Sequence, residues 1–321
     1  MKTTMRKTGR AYFCVTVLLA VAALCSPFAP PACGAPIRIL DDLGVETLLD
    51  APAKRVVSLY AGHTENLIAI GAREALVAAS QADDRDVVAA LPRLGAKPGV
   101  EQIVALKPDL VLTRPMMARA QSDLYERLRA LGVKVVAIDP PAWEEFPAYI
   151  GLLAEATVGD PARWREEARL ATISADGGGR ELPGVLLITN GKTMATCAPD
   201  SWAAHVLAAA GCRNAAPNAR PVSGGSAIAA FGAERMLVAD AAIDVVLLQQ
   251  GAMNALRAAD VLSDPRFASM RAVRAGRVFD IPEEDISRPS LLRLRMGVVR
   301  DLAEIVQGKK DGVAAIGGKS P

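Results

Sequence analysis

Histidine is nearly missing from this sequence: His63 and His205 are the only two in 321 residues. A bare transition metal is typically held by a cluster of His, Cys or carboxylate ligands, so two imidazoles argue against a site for naked zinc or manganese. Aromatic residues make up 4% of the chain, which disfavours a pocket built wholly of stacked rings. The five cysteines include no Cys-x-x-Cys pair. Catalytic motifs are missing too. Asn190-Gly-Lys-Thr193 imitates the end of a phosphate-binding loop, but Leu186 stands where its first glycine should be. There is no Gly-x-Ser-x-Gly and no His-Glu-x-x-His. No catalytic residue and no intrinsic cofactor are expected.

The one long apolar stretch is N-terminal. Lys2, Arg6, Lys7 and Arg10 precede Ala11 to Leu24, broken only by Thr16, which is the layout of a signal peptide. Small residues at Ala32, Gly34 and Ala35 put cleavage near residue 35. Residues 1–34 are therefore read as a leader and the mature protein as periplasmic or otherwise extracytoplasmic. Neither Cys25 nor Cys33 carries the full lipid-attachment pattern, so a lipid anchor is the alternative reading. No other run approaches the ~18 residues needed to span a bilayer. The leader holds four of the 37 basic residues, leaving 33 against 35 acidic ones. A nucleic-acid role, which needs a clustered basic face, thereby loses its compositional support. Cys197 and Cys212 lie beyond the leader and read either as a disulfide of an oxidising compartment or as two buried thiols.

The remainder alternates short aliphatic runs with helical stretches. Arg55 to Leu59, Leu110 to Leu112 and Val133 to Ile138 read as strands, with helices over Thr64 to Ile70 and Gln121 to Leu131. The reading restarts with Gly184 to Ile188, Asp244 to Leu248 and Arg277 to Phe279. Such alternation predicts parallel sheets flanked by helices.

Three local patterns also recur in order. Leu67 to Arg73 is echoed by Leu207 to Arg213, each a helix ending at glycine. Gly99-Val-Glu101 leading to Asp109-Leu-Val-Leu112 is echoed by Gly232-Ala-Glu234 leading to Asp244-Val-Val-Leu247. Lys134 to Ile138 is echoed by Arg277 to Ile281. The fold expected is α/β: two similar lobes with mostly parallel sheets, joined by a single long helix. Residues 35–142 form the first lobe, 143–176 the connection and 177–321 the second lobe. Within the connection Gly159-Asp160-Pro161 separates two helical stretches, with Asp160 as N-cap and Pro161 in the first turn.

Arg55-Val-Val-Ser-Leu59, Thr64-Glu65-Asn-Leu67 with Ile70-Gly71, and Glu101-Gln-Ile-Val-Ala-Leu-Lys-Pro-Asp109-Leu-Val-Leu112 closely resemble the helical-backbone class of periplasmic binding proteins, which serve cobalamin, ferric-siderophore and haem importers. The likeness extends from Asp41 to the Ser287-Arg-Pro-Ser290 segment and the final helix. It implies a monomer that carries a metal chelate or corrinoid in the cleft between its lobes to the permease dimer of an ABC importer. It also implies docking through one acidic residue on each lobe, and Glu101 and Glu234 match that pattern.

In this class the loop after each lobe's first strand faces the cleft, which makes Tyr60, His63 and Trp202 candidate ligand contacts. Phenolate and imidazole are iron ligands in haem carriers, so Tyr60 or His63 could reach a metal centre. Arg114 follows the strand ending at Leu112 and could pair with a carboxylate, catecholate or phosphate. Met116 could lie against a macrocycle, Trp143 could stack on a planar ligand, and Arg288 is a further anion contact. Iron chelates and cobalamin are the leading ligands. A molybdate-like oxyanion, an exported α/β enzyme using His63 as base, and a ligand-sensing receptor are the alternatives.

Overall fold

The computed structural model describes residues 35–173, 181–251 and 254–309. Residues 1–34, read above as a leader and holding Cys14, Cys25 and Cys33, and the Gly177 to Gly179 run lie outside the described residues. Among those described, no helix is long and apolar enough to cross a membrane.

The chain opens with an antiparallel hairpin, β1 (Ile37–Leu40) and β2 (Glu46–Leu49). The first sheet then forms from β3 (Val56–Ser58), β4 (Leu76–Ser80), β5 (Arg93–Leu94), β6 (Leu110–Thr113) and β7 (Lys134–Ala137). They are all parallel in the order β5-β4-β3-β6-β7. A parallel sheet is covered on both faces, so its strands are apolar throughout rather than alternating; β6 is buried at every position.

The second sheet contains β8 (Gly184–Asn190), β9 (Ala195–Cys197), β10 (Arg213–Asn214), β11 (Arg220–Pro221), β12 (Ile228–Ala230), β13 (Val245–Gln250) and β14 (Val278–Pro282). Its path is β11-β12-β9-β8-β13-β14, with β10 beside β8. The run β8-β13-β14 is parallel, whereas β9, β12 and β11 pair antiparallel. Thus β3-β6-β7 and β8-β13-β14 are the same arrangement twice, and one sheet is parallel while the other is mixed.

The internal repeat has a backbone explanation. Asp109 ends the loop before β6, and its carboxylate accepts from the amides of Lys54 at 2.8 Å and Arg55 at 2.9 Å, just ahead of β3. Asp244 does the same for Gly184 at 2.8 Å, where β8 begins. Each repeated aspartate aligns a lobe's first strand with its neighbour. The repeated glycines Gly71 and Gly211 both take positive φ after helices Ala61–Ala69 and Trp202–Ala209, the backbone state in which glycine alone carries no Cβ penalty.

The connection runs through two helices, Phe146–Thr157 and Pro161–Ala171. Gly159 and Asp160 both adopt positive φ and interrupt what would otherwise be one rod, while the Asp160 side chain accepts from the Arg163 amide. The segment therefore holds a broken helical pair, of which the second member is the helix expected from Pro161 onward. Phe146–Thr157 packs into a core shared by both sheets, a single cluster that includes Phe146, Ile150 and Leu153 together with Val56, Leu110, Val185 and Leu247. Burial of that much apolar surface at about 25 cal/mol per Å² ties the lobes together.

Candidate functional site

Parallel α/β sheets bind ligands beyond the carboxyl ends of their strands, at the point where strand order reverses. In the first sheet the chain passes from β3 outward to β4 and β5, then returns to the other side of β3 as β6, so the reversal lies between β3 and β6. The residues that leave those two strands are Tyr60 and Arg114. A cavity of about 370 Å³ opens there, within the size range of small-molecule sites. Leu59, Tyr60, Ser80, Thr113, Arg114, Met116 and Met117 line it from the first lobe, and Glu283, Ser287 and Arg288 from the segment after β14.

Tyr60 owes its position to Gly62. A Cβ there would stand 2.4 Å from the Tyr60 ring, so the side chain folds over a residue that has none. The Arg114 guanidinium carbon lies 5.2 Å from the centre of the Tyr60 ring, in cation–π range. Its Nε donates to Asp139 Oδ1 at 3.1 Å. Burial raises the Tyr60 phenol above its ordinary pKa, with Arg288 and Arg114 pulling the other way. Met116 is 59% exposed at the rim, available to an apolar ligand face. On the opposite wall the Ser287 hydroxyl donates to Gln249 Oε1 at 2.6 Å.

Four expected contacts therefore meet in one cavity: Tyr60, Arg114, Met116 and Arg288. The structure places the other three elsewhere. His63 lies one helical turn beyond Tyr60, fully buried. Its Nε2 is 3.1 Å from the Ile138 carbonyl, which can only accept, so Nε2 carries the proton. Nδ1 then accepts from the Tyr149 hydroxyl at 2.7 Å. Both ring nitrogens are occupied, leaving no lone pair for a metal or for base chemistry. Burial lowers the His63 pKa to about 4.

Trp143 and Trp202 are corrections of the same kind. Their rings lie 4.6 Å apart, and Phe146 meets Trp202 at 4.8 Å. Both indoles belong to the core that joins the lobes. His205 stacks on Trp143 at 5.3 Å, with Glu144 3.6 Å from its Nε2.

Glu283 and Ser287 escaped the sequence reading, although Ser287 stands beside Arg288 in a segment already singled out. Glu101 and Glu234 occupy the second position of helices Val100–Val104 and Ala233–Val238, each after an N-cap glycine. Both are exposed, and Glu101 has Arg127 at 3.4 Å. Negative charge is favoured in a helix's first turn, which accounts for the local placement of both.

Cys197 and Cys212 are free and buried, and burial pushes their thiols up to about 11 and about 12. The thiolate is the reactive species. We expect neither cysteine to alkylate with iodoacetamide at pH 8 in the native protein and both to alkylate in 6 M guanidinium, read by intact mass. Native labelling of either would mean that its burial is transient.

Two lobes built on sheets of repeated topology, with a cavity at the strand-order reversal of the first, define a bilobal α/β fold with a candidate ligand site. The chain has the fold of the helical-backbone periplasmic binding proteins, and its residues 56–170 match the periplasmic binding protein family. A curated relative, an uncharacterized ABC transporter substrate-binding lipoprotein of Bacillus subtilis, is 27% identical over 124 residues. That match spans 38% of this chain and 40% of the relative's length. Among solved structures, a periplasmic haem-binding protein of Roseiflexus sp. RS-1 shares 22% identity with a TM-score of 0.59, over 80% of this chain and 98% of that one. A periplasmic haem-binding protein of Vibrio cholerae shares 19% with a TM-score of 0.63, over 78% and 98%. A protein of an Fe3+-hydroxamate transport system from Saccharomonospora viridis shares 20% with a TM-score of 0.60, over 85% and 99%. At these identities the likeness establishes the fold.

Proposed function

We propose that the protein is the extracytoplasmic solute-binding component of an ABC importer. It captures an iron chelate, siderophore or haem, or cobalamin, and presents it to a membrane permease dimer through Glu101 and Glu234. The observation that carries this reading is the cavity itself: Tyr60, Arg114 and Arg288 converge on it from both lobes beside an exposed Met116. A phenol and two guanidiniums suit an oxygen-rich or anionic chelate, and the methionines suit an apolar ring or arm. Capture needs no bond making, so no catalytic residue and no resident cofactor are assigned. Among the described residues no group of three or more His, Cys, Asp or Glu side chains is placed to hold a bare metal ion, which favours a cargo that brings its own ligands. The names of the relatives, a substrate-binding lipoprotein and haem- and ferric-hydroxamate-type proteins, support the same class of cargo and an extracytoplasmic location.

The test is a thermal-shift panel of haemin, cobalamin, several ferric siderophores, molybdate and free metal ions. A ligand at 100 times its dissociation constant stabilises the native state by about 2.7 kcal/mol. We expect one chelate to give a saturable shift that weakens at least tenfold in affinity in Tyr60→Ala and Arg114→Ala. A shift with molybdate alone would make the protein an oxyanion carrier. A shift with free metal alone would overturn the chelate assignment.

A further inference from the structure

Arg288 reaches the cavity from the second lobe, but what holds it belongs to the first. Glu65 lies in helix Ala61–Ala69, one turn past Tyr60, and is 1% exposed, so no ligand in the cavity touches it. Its Oε1 accepts from Arg288 Nη1 at 2.6 Å and from Arg293 Nε at 3.2 Å and Nη2 at 2.9 Å. Its Oε2 is buried with no hydrogen-bond partner.

The next residue acts on the backbone of the same segment. Asn66 Nδ2 donates to the Pro289 carbonyl at 2.9 Å, and Asn66 Oδ1 accepts from the Leu291 amide at 2.7 Å. Two consecutive helix residues therefore fix one arginine, Asn66 through the main chain that follows it and Glu65 through its guanidinium. Arg293 adds a second cation on the same oxygen and is itself faced by Asp285 at 3.4 Å and Asp84 at 3.5 Å.

A guanidinium has five N–H donors in a fixed fork, and only Nη1 of Arg288 is committed to Glu65. A long side chain already ordered in its binding rotamer loses less freedom when a ligand arrives, and tightness of binding follows from that preorganisation.

We propose that Glu65 is a positioning residue for ligand capture: it holds Arg288 in the cavity wall so that the free N–H groups meet an anionic oxygen of the ligand, a carboxylate, phosphate or catecholate. This rests on the cavity being the ligand site. An unpaired buried carboxylate oxygen is otherwise a cost, and a clamp between lobes alone would not require that one of its cations face the cavity.

The experiment uses the full mature chain in two arms. In the first, arginine is 15N-labelled and the slowed guanidinium signals are recorded, with that of Arg288 assigned by its loss in Arg288→Lys. The Arg288 signal is expected in the wild type and in Glu65→Asp and is expected to vanish by averaging in Glu65→Gln. In the second arm, haemin and a ferric tris-catecholate are titrated into each variant. Affinity for whichever the wild type binds should fall at least tenfold in Glu65→Gln and recover at least partly in Glu65→Asp. Should Glu65→Gln not fold, Glu65→Gln/Asp285→Asn/Arg293→Met replaces it, since it removes the buried cation together with the two buried carboxylates that face it. An Arg288 signal unchanged without Glu65 overturns the proposal whatever the ligand. A lost signal with unchanged affinity also overturns it, leaving a structural clamp. If neither chelate binds the wild type, the anionic-chelate reading of the cavity fails and the positioning role falls with it, whereas chelate binding indifferent to Glu65 sinks the positioning role alone.

Discussion

Arg293→Met should be among the most destabilising single substitutions outside the apolar core, lowering stability by about 3 kcal/mol, at the low end of the ~3–5 kcal/mol seen when one partner of a buried ion pair is removed. Arg293 is 6% exposed and faces three carboxylates, Glu65, Asp285 and Asp84. Burial works against its charge, but the hydrogen bond and charge of Glu65, reinforced by Asp285, hold its pKa above the usual arginine value. Without it Glu65 keeps Arg288, while Asp285 loses the cation at 3.4 Å that counters its burial. Burial already raises the Asp285 pKa to about 7, so the stranded carboxyl can take up a proton, and that relief is why the low end applies. Thermal or urea unfolding followed by circular dichroism measures the loss. Arg38→Ala, which breaks only the exposed pair with Glu46, should change stability by less than about 1 kcal/mol. A loss of similar size in both variants would mean that the cluster is hydrated rather than buried.

His63→Gln should remove an acid-sensitive part of the stability worth up to about 3 kcal/mol, at 1.36 kcal/mol per pKa unit. Burial lowers the folded-state pKa to about 4 from the ordinary 6.5. Between those values the unfolded chain binds the extra proton, so the contribution of His63 is complete above pH 6.5 and is lost as pH falls towards 4. Asp83 and Asp285 act in the opposite sense. Burial raises them to about 6 and about 7, so the folded state holds their protons more tightly; their contribution is complete below pH 3.8 and is lost as pH rises through 6 and 7. The check is the stability difference between wild type and variant across pH. The cost of His63→Gln should shrink on going from pH 7 to 4.5, and the cost of Asp285→Asn should shrink, or become a gain, from pH 5 to 8. A pH-independent difference for His63→Gln would mean that the imidazole is solvated.

Much of the architecture was legible along the chain because its causes are local. A strand in a parallel sheet is apolar at every position, and a helix that ends in positive φ asks for glycine, so the runs at 56–58, 110–113 and 245–250 and the stops at Gly71 and Gly211 could be read directly. The Asp160 cap was equally local. The short strands β9 to β12 were not legible, since two- and three-residue segments carry no periodicity.

The site divides along the same line. That Tyr60 and Arg114 line the cavity was legible because leaving a parallel strand at the strand-order reversal is a position in the chain as well as in space. His63 was misplaced because three residues along a helix turn a side chain from the cavity to the core, and the sequence does not say at which residue that turn begins. Trp143 and Trp202 follow strand exits too, yet each is buried against the other in the shared core.

By itself the sequence determined that there are two α/β lobes of repeated topology, that Glu101 and Glu234 hold equivalent positions, and which strand ends lead to the candidate site. Tertiary structure alone decided which side chains face that site and what holds them there. Glu65 and Arg288 stand 223 residues apart, and backbone preference acts over a few residues, whereas the burial that makes their ion pair strong exists only once both lobes have closed around it.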